Sequence, residues 1–492
     1  MKNIQQYLVL AVSIIALMAS GCNRSKEPQQ RFDVASDVTC SFHEHTFNVA
    51  YKLIGTTDAI EVTAYADAEW VTAVDATRKG NISISVASNE GEERSTTLHI
   101  HAEGMPDAKV TIRQMGTPPE IATHTLIYYF FGTSLSRYFT YNLEDASTAI
   151  SNGALGYNNR VMFVRQTNQS EGYIGELCYN PTDGSCIEQH LRDIIIDATR
   201  PMSDNISEMI ATIADIAPAQ RYGMVLAGHG QGWVTREALE DSASIFSVGG
   251  SMWTPAYGAE ITRAFGEKNV RVDVCEIADG IAASGVEFDY LLFDACFMSN
   301  IESLYDLRDS ANYIIASPCE IMGRGFPYHR TLPYLFAEDG AQSDLIGAAE
   351  SYYQYYRDEY NGTARCGSVA VIDCSELEAL AEATRQLVSA ANKEVDNSKL
   401  QFYEGHNIHT FFDFGQWATM VTDNSAALAN FQTQLNNTVI AKYTLPSFYS
   451  ALGNSGTYSI DESVYSGVTT SATSLTYPDY WTMTSWYKAV WE

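Results

Sequence analysis

Two short stretches pair a reactive side chain with a backbone able to assist it. Leu226-Ala-Gly-His-Gly-Gln-Gly-Trp233 sets His229 between glycines, and Phe293-Asp-Ala-Cys-Phe-Met298 sets Cys296 behind an apolar run. A free thiol, with a pKa of roughly 8.5, stays mostly inert at neutral pH until an imidazole or a positive environment favours the thiolate. Imidazole titrates near roughly 6.5, so His229 can assist a nucleophile and later protonate an amine leaving group. Glycine beside the histidine lets a backbone N–H approach a developing oxyanion, which makes Gly230 N–H, with Cys296 N–H, a candidate oxyanion hole. Taken singly, a cysteine at a strand end is more often a small buried hydrophobe, and such a histidine a satisfied turn residue. The two gain meaning only together.

Both lie where strands run out. Apolar, β-rich runs are expected at 125–131, 161–165, 223–227, 290–294, 313–317 and 368–372, and amphipathic helices at 143–150, 187–196, 206–216, 259–265, 301–306, 345–359 and 376–393. Continuously apolar strands imply burial on both faces, hence a largely parallel α/β sheet flanked by helices. Sites in such sheets gather at the carboxyl ends of strands, so neighbouring strand ends can bring His229 and Cys296 together across 67 residues of sequence.

The chain of 492 residues has room for two or three domains, and 12% aromatic content excludes a largely disordered chain. Residues 117–492 carry 20 basic against 46 acidic residues, and no segment has the basic excess that nucleic acid binding requires. At the N-terminus Lys2, an apolar run from Tyr7 to Met18 and then Ala19-Ser-Gly-Cys22 form a signal peptide, too short for a comfortable membrane span. Cys22 after small residues resembles a bacterial lipoprotein signal, which implies a mature chain lipid-anchored to the outer membrane of the cell envelope, with 22–30 as tether. The other eight cysteines show no CxxC pair, and mostly free thiols are expected.

Residues 31–116 alternate apolar and polar in short runs at 46–49, 59–65, 81–87, 96–101 and 109–114, the pattern of half-buried antiparallel strands and of a small all-β sandwich. Glu69-Trp-Val71, Asn89 to Arg94 and the closing Val110-Thr-Ile-Arg-Gln-Met-Gly116 resemble the BACON domain, an immunoglobulin-like module. The resemblance implies a spacer, with glycan contact as the lesser option. A proline-broken linker follows at 117–123.

From 124 to 492, the His229 and Cys296 motifs, with Glu302, Tyr305, Ala316-Ser317 and Gly325-Phe-Pro-Tyr328, resemble the clostripain family of cysteine peptidases. The resemblance implies a caspase-like fold and a His229–Cys296 dyad. It also implies an S1 pocket in which Asp294 selects Arg or Lys at P1, a carboxylate being the natural partner of a guanidinium. Ser317-Pro-Cys-Glu320 departs from the family pattern and puts Cys319 near the site. Self-cleavage in the loop between the dyad residues is a family trait; Arg236, Arg263, Lys268 and Arg271 are the basic candidates, with a cut after Arg236 or Lys268 expected. Calcium dependence occurs in part of the family, but no EF-hand loop is present and no metal or cofactor is expected. His406 and His409 lack an evident third ligand. The expected protein is a cysteine endopeptidase acting on protein or peptide substrates. The alternatives are the same fold with another P1 preference, or a catalytically silent glycan-binding surface lipoprotein.

Overall fold

The computed structural model describes residues 30–492 except 41–44, 57–59, 90, 92, 115, 117–120, 157, 182, 246–260, 264–271 and 337–341. The expected signal peptide and Cys22 lie outside the described residues. The chain divides into two compact units between Thr117 and Pro118.

The first unit holds β1 (Arg31–Val34), β2 (Asp37–Cys40), β3 (His45–Ile54), β4 (Val62–Ala66), β5 (Val71–Asp75), β6 (Asn81–Val86), β7 (Arg94–Ala102) and β8 (Ala108–Gln114). They form two four-stranded sheets, ordered β1-β3-β6-β5 and β2-β8-β7-β4. Alternate residues of each strand point inward, so Ile82, Ile84 and Val86 meet Leu98, Ile100, Val110 and Ile112 in one core. Residues of the quoted motif converge here. Arg94 lies 4.7 Å over the Trp70 ring and donates to Gln114 Oε1 at 2.8 Å, while Gln114 donates to the Ala87 carbonyl at 2.8 Å.

The second unit is built on β9 (Ala122–Phe130), β10 (Asn159–Gln166), β11 (Glu171–Asn180), β12 (Ser185–Ile195), β13 (Ala219–Ala227), β14 (Tyr290–Asp294), β15 (Tyr313–Ala316) and β16 (Ser368–Asp373). Beyond β17 (Phe412–Asp413), which pairs elsewhere, β18 (Val439–Thr444) completes a nine-stranded sheet ordered β12-β11-β10-β9-β13-β14-β15-β16-β18. The sheet is mixed rather than largely parallel. Strands β10, β9, β13, β14 and β15 run parallel, and both margins are antiparallel.

Helices cover both faces: α1 (Ser136–Ser151), α6 (Tyr328–Leu335) and α7 (Leu345–Glu359) on one, α2 (Met202–Ile216), α4 (Val274–Ser284), α5 (Ile301–Asp306) and α8 (Leu377–Ser389) on the other, with α3 (Arg236–Ile245) in the connection after β13. Successive residues of β14 therefore enter opposite cores: Tyr290 and Leu292 one, Leu291 and Phe293 the other. That double burial is why the central strands read as unbroken apolar runs.

One expected helix is a strand, and the described part of another is not helical. The segment expected at 187–196 is the edge strand β12, which pairs antiparallel with β11. Ile187, Leu191 and Ile195 recur every fourth residue, a spacing shared by one helix face and one strand face, so periodicity alone cannot separate them. Of the segment expected at 259–265, the described residues Ile261–Arg263 are not helical, and Thr262 bridges Met322 antiparallel. Among the described residues no helix is long and apolar enough to cross a membrane.

Candidate active site

Strands β13 and β14 are parallel neighbours in the register Ala227↔Asp294, so Gly228-His229 and Ala295-Cys296 leave the sheet side by side. The approach of these two ends is close enough to dictate residue type. A Cβ on Gly230 would collide with the backbone of Cys296, so any other residue would push the two strand ends apart. Phe297, immediately after the cysteine, has φ 60°, a left-handed conformation costly for a bulky residue. It is held there by stacking on Phe411 at 5.0 Å and by its N–H donating to the Cys319 carbonyl at 3.1 Å.

His229 is half-buried and lies against Ser134, with Nε2 and Oγ 3.0 Å apart. It borders a cavity lined by Phe131, Gly132, Val272, Ile277 and Met298. Cys296 is fully buried and does not line that cavity. Its Sγ accepts from Ile321 N–H at 3.0 Å and lies 3.6 Å from the Ile321 carbonyl oxygen. Burial pushes the thiol well above its ordinary range and Glu320 pushes the same way, against hydrogen bonding from the Ile321 and Arg263 backbone and the Arg263 charge.

What covers the thiol is a segment of the same chain. Arg263 N–H donates to the Ile321 carbonyl at 2.8 Å, and Gly323 N–H to the Ile261 carbonyl at 2.7 Å, so 261–263 pairs antiparallel with 321–323 through a single bridge. Gly230 N–H donates to the Arg263 carbonyl at 2.8 Å. The Arg263 side chain is wholly buried: Nη1 lies 3.1 Å from Asp294 Oδ2 and donates to the Asp294 carbonyl at 2.8 Å, and Nη2 donates to Asn142 Oδ1 at 2.8 Å.

Asp294 is itself fully buried and accepts from Tyr328 OH at 2.8 Å and Phe326 N–H at 3.3 Å. Burial pushes its carboxyl up, while Arg263, Tyr328 and Phe326 N–H pull it down by stabilising the charged form. A Cβ on Gly325 would strike both Asp294 and Arg263, so glycine opens the slot for the guanidinium.

Gly230 thus packs on the Cys296 backbone and Asp294 holds Arg263, while the His229 ring borders a cavity that Cys296 does not line. Of the other basic candidates for self-cleavage, Arg236 is tied to Glu276 at 2.7 Å and Asp273 at 3.5 Å, away from Asp294. Lys268 and Arg271 lie outside the described residues. The Cys319 side chain turns away into a cluster with Tyr403, Phe448, Ile460 and Tyr465. His409 pairs with buried Glu404 at 3.1 Å, and among the described residues no group of three or more His, Cys, Asp or Glu is placed to hold a metal. The Ser134 contact carried no signal in the sequence; Glu320 and Arg263 were visible as residue types but not as neighbours of the thiol.

An α/β sandwich with a glycine-flanked histidine and a cysteine at adjoining strand ends defines a caspase-like cysteine peptidase unit. The model of the clostripain family matches residues 183–488, and the chain belongs to that family of cysteine peptidases. Among solved structures it is similar to a secreted C11 cysteine protease from Bacteroides thetaiotaomicron, with 26% identity over 75% of this chain and 99% of that one and a TM-score of 0.65. A secreted C11 cysteine protease from Bacteroides thetaiotaomicron in complex with an irreversible peptide inhibitor matches with 25% identity over 75% of this chain and 99% of that one and a TM-score of 0.61. An inactive zymogen C11 protease from Parabacteroides distasonis matches with 25% identity over 76% of this chain and all of that one, TM-score 0.61. A search of curated proteins returned no match.

Proposed function

We propose that the chain is a cysteine endopeptidase that cuts after arginine or lysine through Cys296 and His229, and that it is made as a precursor blocked by its own Arg263. The observation that carries this reading is the arrangement of Arg263: guanidinium on Asp294, carbonyl oxygen on Gly230 N–H, and N–H on the carbonyl of Ile321, whose own N–H meets the Cys296 thiol. That is the disposition a P1 arginine needs for attack.

In this reading His229 takes the proton of the Cys296 thiol as the Sγ–C bond forms at the Arg263 carbonyl carbon, and the oxyanion draws on Gly230 N–H and Cys296 N–H. The bond to Ala264 breaks as His229 gives a proton to the departing amine, and water then displaces the thiol and leaves an Arg263 carboxylate. Release of the new chain end frees the slot above Asp294 for a substrate arginine or lysine, and uncovers the thiol. The cut is therefore assigned to Arg263, in place of Arg236 or Lys268. The relative from Parabacteroides, solved as an inactive zymogen, is consistent with a blocked precursor.

The envelope address follows from the N-terminal residues and from the secreted relatives, and Cys22 is the proposed lipidation site. The first unit is read as a BACON-like spacer.

The test is hydrolysis of an Arg-aminomethylcoumarin peptide, together with N-terminal sequencing of the products of incubation. Wild type is expected to release fluorophore and to expose Ala264 as a new N-terminus. Cys296→Ala is expected to lose both by about a thousand-fold or more. Equal cleavage by the two proteins would remove the dyad from the reaction.

A further inference from the structure

Beside Arg263, the side chain of Thr262 has a partner that the P1 slot does not explain. Thr262 Oγ1 donates to Glu320 Oε2 at 2.6 Å, and both side chains are buried. The same carboxyl group accepts from Ala451 N–H at 2.9 Å and from the Ser450 hydroxyl, which fix it against a segment far away in sequence. Thr262 is one residue upstream of Arg263 within the segment paired to 321–323, the position a substrate's P2 residue would take. Glu320 lies next to Ile321, whose N–H contacts the Cys296 thiol.

We propose that Glu320 forms an S2 subsite that selects a hydroxyl-bearing P2 residue, threonine above all, so that the preferred substrate carries Thr-Arg before the cut. This rests on the peptidase reading above and narrows its substrate class.

The physical reason is an asymmetry. A buried carboxylate that receives a third hydrogen bond from a P2 hydroxyl is well satisfied, whereas an isosteric valine would press methyl groups against the same oxygen and leave it short of a donor. Sites built to bond a hydroxyl discriminate strongly against analogues that lack it. Water entering the opened slot can replace part of the lost bond, so the expected preference is about ten-fold.

The experiment compares two Arg-aminomethylcoumarin peptides, identical but for threonine or valine at P2, on wild type, Glu320→Gln and Cys296→Ala. Wild type is expected to favour threonine about ten-fold in kcat/KM, and Glu320→Gln, which replaces one acceptor oxygen by an NH2 donor and keeps the shape, to shrink that ratio to two- or three-fold. The wild-type comparison alters only the substrate, so it holds even if the variant fails to fold. Equal rates on both peptides with wild type, or an undiminished ratio with folded Glu320→Gln, would overturn the subsite and leave the peptidase reading intact. Cleavage of neither peptide, or equal cleavage by Cys296→Ala, would take down the peptidase reading and the subsite with it.

Discussion

The two units treat buried polarity in opposite ways. In the described part of the first, the buried polar side chains are two amides, Asn89 and Gln114. The second buries ionisable side chains, among them Arg263, Asp294, Glu302, Glu320, Glu404 and Asp413. A buried charge is costly unless paired and hydrogen-bonded, so it persists where something beyond packing holds it. Glu302 serves architecture, accepting from Ser471 N–H at 2.8 Å and Trp481 Nε1 at 3.0 Å and so pinning the aromatic C-terminal end to α5. Arg263 and Glu320 instead bear on the Cys296 thiol, and Asp294 pairs with Arg263. Among its described residues the first unit buries no ionisable side chain other than thiol and phenol groups; the second buries several, three of them grouped around Cys296.

The sharpest way to break this contrast is to unpair the buried charge. In a Cys296→Ala background, which keeps the chain uncut, Asp294→Asn should lower the stability of the second unit by about 3–5 kcal/mol, because Arg263 is left charged in a dry slot. Denaturant unfolding measures it, and a loss below about 1 kcal/mol would show that the pair is not desolvated.

The matching change in the first unit is Ile84→Ala. Removing this fully buried side chain should cost that unit about 3 kcal/mol through lost transfer energy and a cavity, with no change in kcat/KM on Arg peptides. A fall in activity in step with unfolding of the first unit would tie together what the comparison separates.

Protonation offers a finer probe. Burial, its main cause, raises the Glu320 carboxyl from an ordinary 4.5 to about 7, against hydrogen bonds from Ser450, Thr262 and the 451–452 backbone. The folded chain thus keeps this proton up to about pH 7, while the unfolded chain releases it near 4.5. Between those values stability from this group falls as pH rises, by up to about 3 kcal/mol in all. Glu320→Gln in the Cys296→Ala background should flatten that part of the profile, and identical profiles would place the titration elsewhere.

The smallest effect belongs to the exposed charges of the first unit. Arg113 and Glu93 approach to 3.8 Å with about half of each side chain in solvent, so Glu93→Ala should shift its stability by less than about 1 kcal/mol. A larger shift in a thermal melt would mean that the first unit also relies on charge.

Much of this was legible in the residues themselves. The unbroken apolar runs of β9, β13 and β14 announced strands buried on both faces, since helices on either side must be met by side chains of both parities. Glycines around His229 and the Asp-Ala-Cys at the next strand end marked the candidate pair, because those types suit a close backbone approach and a nucleophile. The alternating runs of 31–116 announced the sandwich.

Pairing direction was not legible, since antiparallel margins carry the same apolar pattern as parallel centres; nor was β12, whose four-residue spacing fits helix and strand alike. Above all, sequence presented four basic residues in one loop without ranking them. Only tertiary structure decided that Arg263 enters the slot while Arg236 pairs with Glu276, because that choice depends on where a buried carboxylate, a glycine gap at 325 and a free edge at 321–323 come together in space. Local chemistry is written in residue types; which side chain occupies a site is decided by the geometry of elements far apart in the chain.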